Sequence, residues 1–108
     1  MKEYKTEDEY EMIPLSESEL KDALNDLSGW EQIDSQWIAR QYKFNEYMDG
    51  ITFAKEVGEY AEKRQHHPLI NIAYKKVKLE MSSWRAKGVT AIDIEMVKDF
   101  NEIYNKYI

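Results

Sequence analysis

The sequence predicts a two-layer α+β domain in which helices pack on one antiparallel sheet. Three observations point there. A capping box opens a run of leucines at helical spacing; segments of alternating β-branched and aromatic residues come in pairs; a long helical period separates the pairs. In order, the chain reads helix, two strands, long helix, two strands or one bent strand, helix. Strand pairs divided by helices bury one sheet face beneath those helices.

Residues 1–14 are polar and acidic, lack a clear period, and read as a loose arm that Tyr10, Met12 and Ile13 would partly order. Residues 15–108 form one domain. Ser16 is the expected N-cap of the first helix, with Glu19 three residues on and Leu15 and Leu20 as a hydrophobic staple. Leu20, Leu24 and Leu27 repeat at helical spacing, and Gly29 supplies a left-handed stop. "WEQID" and "WIARQYKF" are the arms of a hairpin, with Ile38, Tyr42 and Phe44 on one face and Trp37 and Ala39 on the other.

From Asn45 the period becomes helical. Tyr47, Ile51, Ala54 and Ala61 fall on one stripe, with Gly58 in line and Val57 beside it, and Asn45 or Asp49 as cap. Gly50 and Gly58 lower helix propensity and suggest close packing against another element. Pro68 keeps His67 out of the α region, so this helix ends near Gln65 or His66. Beyond it, Ile70, Ile72 and Tyr74 alternate on even positions, whereas Val77, Leu79 and Met81 alternate on odd ones. A period of two cannot change face without an extra residue, so a bulge or tight turn is expected at Lys75-Lys76. Thr90 and Asp93 then cap a last helix striped by Ile92, Met96, Phe100, Ile103 and Tyr107.

Composition narrows the function. The 108 residues suit one domain, and 43% hydrophobic with 33% charged residues is globular. The absence of cysteine excludes disulfides and thiolate metal sites and fits a reducing cytoplasm. The expectation is a protein without membrane or nucleic-acid partners: no apolar run reaches transmembrane length, "MKEYKTEDEYEM" is too polar for a signal peptide, and the net charge is −6. Lys75, Lys76, Lys78, Arg85 and Lys87 read as a solvated sheet face, with an anion-attracting rim around a pocket as the lesser alternative.

The chemistry gathers in "AEKRQHHPLINIAY", which holds both histidines of the chain. Glu62 and His66 are four apart, within reach on one helix face, where a carboxylate fixes an imidazole tautomer and raises its pKa. His67, held extended by Pro68, leaves in another direction. Two histidines and one glutamate do not complete a visible zinc set, and neither a nucleophile elbow nor a phosphate-binding glycine loop is present.

These residues resemble the signature of the pterin-4a-carbinolamine dehydratase family. That signature runs from an acidic residue across three positions to His-His-Pro, then to an aromatic, a His or Trp, and an Asp; here it reads Glu62, His66-His67-Pro68, Tyr74, Trp84 and Asp93. "LSESEL…GW", "YKF" and "KGVTAIDI" also fit, and the resemblance spans residues 15–104. It implies a four-stranded antiparallel sheet with three helices on one face. It also implies a homodimer or homotetramer joined through sheet edges and helices, and no metal or organic cofactor. The implied reaction removes water from 4a-hydroxytetrahydropterin to give quinonoid dihydropterin, recycling a tetrahydropterin. By motif match His66 is the acid–base group, His67 its partner and Glu62 its orienter. Trp30, Pro68, Ser82, Ser83, Trp84 and Asp93 match positions that line the pterin pocket. The best-studied members carry a third histidine where Trp84 stands, and an indole cannot accept a proton at neutral pH.

A different class of function competes on the same fold: a binding or assembly protein of the coactivator kind, weakly active or inactive. A dehydratase for another pterin is the third reading. Pterin binding separates the scaffold from the enzymes, because a scaffold has no reason to hold a pterin.

Overall fold

The computed structural model describes residues 3–108. Among the described residues there are three α-helices and four strands. Helix α1 spans Glu17–Asn25, β1 Glu31–Gln32, β2 Ile38–Lys43, α2 Tyr47–Arg64, β3 Leu69–Ala73, β4 Lys76–Met81 and α3 Ala91–Tyr104. The sheet order is β1-β2-β4-β3 and every neighbouring pair is antiparallel. Two hairpins are thus joined along β2 and β4, with α2 as the connection between them.

The register explains the core. Ile38 pairs with Met81, Arg40 with Leu79 and Tyr42 with Val77. Cross-strand partners share a face, so Ile38, Tyr42, Val77, Leu79 and Met81 all turn toward the helices and are fully buried there. The face change between β3 and β4 is a hairpin turn through Tyr74 and Lys75, one residue before Lys75-Lys76, and Tyr74 adopts φ 55°. The opposite sheet face keeps Gln41, Lys43, Lys76 and Lys78 in solvent.

Helix α1 begins as the capping box requires: Ser16 Oγ accepts from the Glu19 N–H at 3.1 Å, and the Ser16 N–H donates to Glu19 Oε1 at 2.8 Å. It ends at Asn25, before Gly29, which follows with φ 80° and serves the approach to β1 instead. Strand β1 is only two residues long, shorter than "WEQID" suggests.

Helix α2 departs most from its expected pattern. Its N-cap is Glu46, not Asn45 or Asp49. Its buried stripe is Gly50, Phe53, Ala54, Val57, Tyr60, Ala61 and Arg64, whereas Tyr47 is exposed. The stripe is rotated because Tyr60 and Arg64, polar in sequence, are covered by the N-terminal arm: Tyr4 meets Tyr60 edge-on at 5.1 Å, and Arg64 Nε donates to the Lys5 carbonyl at 2.6 Å. Gly50 does pack closely, with Phe44 and Val77 each 3.4 Å from where a Cβ would stand. Gly58 does not; a Cβ there would meet nothing within 4 Å.

The arm is packed rather than loose. It makes a 3-10 turn at Glu7–Glu9, its Tyr10 and Met12 lie against the core, and Ile13 stays exposed. It joins the domain where the Leu15 N–H donates to the Val89 carbonyl at 2.8 Å.

Candidate active site

The site is built where α2, β3, β4 and α3 converge. Gln65 ends α2 by entering the left-handed region at φ 51°, uncommon for a residue with a Cβ. The N–H groups of Gln65 and His66 then fold back onto the carbonyls of Glu62 and Ala61, at 3.2 and 3.3 Å. This turn carries His66 off the helix surface and into the interior. Across the ladder, Leu69 pairs with Glu80, so the residues before β3 and those after β4 leave the same end of the sheet. There the Ser83 N–H donates to the Gly88 carbonyl at 2.9 Å, shaping a loop that leads to Thr90, the N-cap of α3.

His66 is 2% exposed and fully engaged. Its Nε2–H donates to Asp93 Oδ1 at 2.6 Å, and its Nδ1–H donates to Glu7 Oε1 at 2.6 Å. Two carboxylates facing both ring nitrogens favour the doubly protonated imidazolium. Burial pushes the His66 pKa down, but hydrogen bonding and charge from Asp93, then from Glu7, outweigh it, and the net shift is upward. Asp93 is itself 0% exposed and spends its other oxygen on α3: Oδ2 accepts from Ser83 Oγ–H and from the Thr90 N–H, each at 2.8 Å. The Thr90 hydroxyl completes the cluster by donating to Ser83 Oγ at 2.8 Å. Asp93 is therefore both the capping acid of α3 and the anchor of the imidazole.

His67 faces the other way. Its side chain is 53% exposed, and its Nε2–H donates to Glu62 Oε1 at 2.5 Å. The expected pairing of Glu62 with His66 is not what forms. The left-handed turn at Gln65 breaks the four-residue helical spacing, so Glu62 meets the next histidine instead.

Pro68 links this pair to β3, and Ser82 is buried immediately after β4. Trp84 opens the 3-10 turn Trp84–Ala86 with most of its ring exposed, edge-on to Trp37 at 5.3 Å between centroids. Trp30 is not brought to the histidines. It lies in the core against Tyr42 and Phe100, and its indole N–H is shared between the Tyr42 hydroxyl and Asn101 Oδ1 at 3.1 and 3.2 Å. Tyr74 sits in the distant hairpin turn and stacks on Tyr47.

Among the described residues no group of three or more His, Asp or Glu side chains is disposed to hold a metal ion. No helix of these residues is long and apolar enough to cross a membrane.

A family model, described as pterin 4 alpha carbinolamine dehydratase, matches residues 13–103. The chain belongs to this dehydratase family. A protein of Mycobacterium avium (strain 104), provisionally named a pterin-4-alpha-carbinolamine dehydratase, is 36% identical over 92 residues, covering 85% of this chain and 97% of its own. A Brucella ovis protein with the same provisional name is 37% identical over 90 residues, covering 82% and 93%. The crystal structure of a transcriptional coactivator/pterin dehydratase from Brucella melitensis superposes with a TM-score of 0.80 at 36% identity, covering 84% of this chain and 98% of that one.

The fold brings the signature residues His66 and Asp93 together with Ser83 in one cluster, and His67 with Glu62 in another. Glu7 and Arg85 are at the site but lie outside what the signature indicates. Glu7 comes from the arm, before the matched segment, and its second oxygen meets Arg85 Nε at 3.3 Å. The arm does carry one local sign of order, since the Thr6 N–H donates to Glu9 Oε2 at 2.8 Å in a short capping box. Nothing in the sequence links Glu7 to a histidine 59 positions later.

Proposed function

We propose that this chain catalyses the dehydration of 4a-hydroxytetrahydropterin to quinonoid dihydropterin by histidine acid–base chemistry. The observation that carries the reading is the pair of adjacent imidazoles, each hydrogen-bonded to its own carboxylate: His66 with Asp93, His67 with Glu62. The reaction needs one acid and one base. The bond between C4a and the hydroxyl oxygen breaks, and that oxygen takes a proton and departs as water. A ring N–H gives up its proton, and its electron pair becomes the new double bond.

The two environments divide the labour. His66, flanked by carboxylates, is the proton donor, and with Nε2 committed to Asp93 it donates through Nδ1. His67 keeps its Nε2–H on Glu62, which leaves the Nδ1 lone pair as the base. The exposed ring of Trp84 provides a stacking wall for a planar pterin, while Pro68, Ser82 and Ser83 line the inner side. Trp30, held in the core by Tyr42 and Asn101, has no part in this scheme.

A homodimer or homotetramer is part of the same reading. β3 is a sheet edge with Leu69, Ile70 and Ile72 substantially exposed, and such an edge suits pairing with a second copy. That edge also favours the second reading, an assembly protein on this fold with little activity. A cytoplasmic setting is supported by the cysteine-free sequence.

The test follows the decay of enzymatically generated 4a-hydroxytetrahydropterin by stopped-flow absorbance. Wild type should accelerate decay over buffer, and His66→Ala and His67→Ala should each lose about 10²-fold or more. Folded wild-type protein that gives no acceleration would end the dehydratase reading and leave the assembly reading.

A further inference from the structure

We propose that the N-terminal arm is a strap that fills the substrate site with its own carboxylate, so that Glu7 and the pterin compete for the Nδ1 face of His66. The inference rests on the dehydratase reading and adds a self-blocking element to it.

Three observations carry it. First, His66 has one ring nitrogen to offer. Nε2 is committed to Asp93, which is wholly buried and held by Ser83 and Thr90, so a substrate must approach Nδ1. Second, that nitrogen is taken. Glu7 lies over it with one oxygen on His66 Nδ1 and the other on Arg85 Nε, and the imidazole is almost without exposed surface. Third, the strap is fastened at a dedicated place. The buried Arg64 guanidinium donates from Nε to the Lys5 carbonyl at 2.6 Å and from Nη2 to the Tyr10 hydroxyl at 2.7 Å, and Tyr10 in turn donates to Glu95 Oε1 at 2.7 Å. These fastenings flank Glu7 on both sides.

The strap is built to release. Glu7 and Arg85 are partly exposed, and although Tyr4, Tyr10 and Met12 pack against the core, the stretch that carries Glu7 is held by polar contacts. Segments with few buried apolar contacts open locally at low cost compared with global unfolding. The strap also lies before residues 13–103, the segment that matches the family model.

The test uses the full chain in three forms: wild type, Glu7→Ala, which removes the occupant, and Tyr10→Phe, which loosens the strap but leaves Glu7 and His66 in place. Each is titrated calorimetrically with a dihydropterin and assayed for dehydration. Apparent affinity scales with the open fraction, so a strap closed nine-tenths of the time makes Glu7→Ala bind about tenfold tighter, with a smaller gain for Tyr10→Phe. kcat/KM should rise in the same order. Unchanged or weaker binding in both variants, with histidine NMR signals showing an intact fold, overturns the strap. Tighter binding without turnover in any form removes the dehydratase reading and keeps the strap; turnover without tighter binding does the reverse. No pterin binding in any form overturns both.

Discussion

Nε2 of His66 donates to Oδ1 of Asp93 at 2.6 Å, and this bond ties the chain just past α2 to the first turn of α3. Removing the carboxylate with Asp93→Ala leaves Nε2 of a buried imidazolium and the Thr90 N–H without their acceptor, with Glu7 the one carboxylate still on the ring. Breaking a buried charged pair from one side costs about 3–5 kcal/mol, and urea unfolding should register a loss of that size. A loss below about 1 kcal/mol would show that the cluster is not charged as described.

The charge on His66 also sets a pH dependence. Its folded-state pKa lies above the ordinary 6.5. The stabilisation it contributes is complete below the unfolded value and is lost as pH rises through the folded value. Urea midpoints should therefore fall as pH is raised from about 6 into the alkaline range. Glu7→Gln takes away one of the two charges, so NMR titration of His66 should give a lower pKa than in wild type. A pKa unmoved by that change would separate Glu7 from the imidazole.

Two glycines should respond to alanine in opposite directions. Gly29 holds φ 80°, and a Cβ there would stand 2.5 Å from Arg40 Nε. Gly29→Ala would strain the backbone and push Arg40 off the Ser28 carbonyl and Asn101, costing about 1–3 kcal/mol. Gly58 lies inside α2 with open space where a Cβ would go, so Gly58→Ala should stabilise by about 0.5–1 kcal/mol. Thermal melts of the two variants test both signs at once.

A lysine on the open edge tests the proposed assembly. Ile72→Lys puts a charge on β3, which among the described residues pairs with β4 alone. Light scattering after gel filtration should find the variant smaller than wild type. An unchanged mass would move the interface elsewhere.

The elements with strong local signals were readable: the capping boxes at Ser16 and Thr90, and the face change before Val77 that became the β3–β4 turn. The histidine cluster was readable as a motif, because its residues are of the right kind at the right intervals. Its pairing was not. Which histidine meets Glu62 depends on one backbone rotation at Gln65, a residue with no special tendency toward positive φ. The phase of α2 was hidden for a related reason. Tyr60 and Arg64 are buried between α3 and the arm that lies over them, and no helical period can encode a cover that comes from other parts of the chain.

The arm's anchors have a consequence for the order of assembly. Tyr10 and Glu95 are 85 positions apart, and Glu7 and His66 are 59 apart. The arm meets α2 and His66 through Tyr60, Arg64 and Glu7, but its Tyr10–Glu95 contact must wait for α3. Contacts across such long intervals form late, after local structure has narrowed the search. The domain body can therefore form before the arm lies over His66, and docking of the arm is expected late in folding.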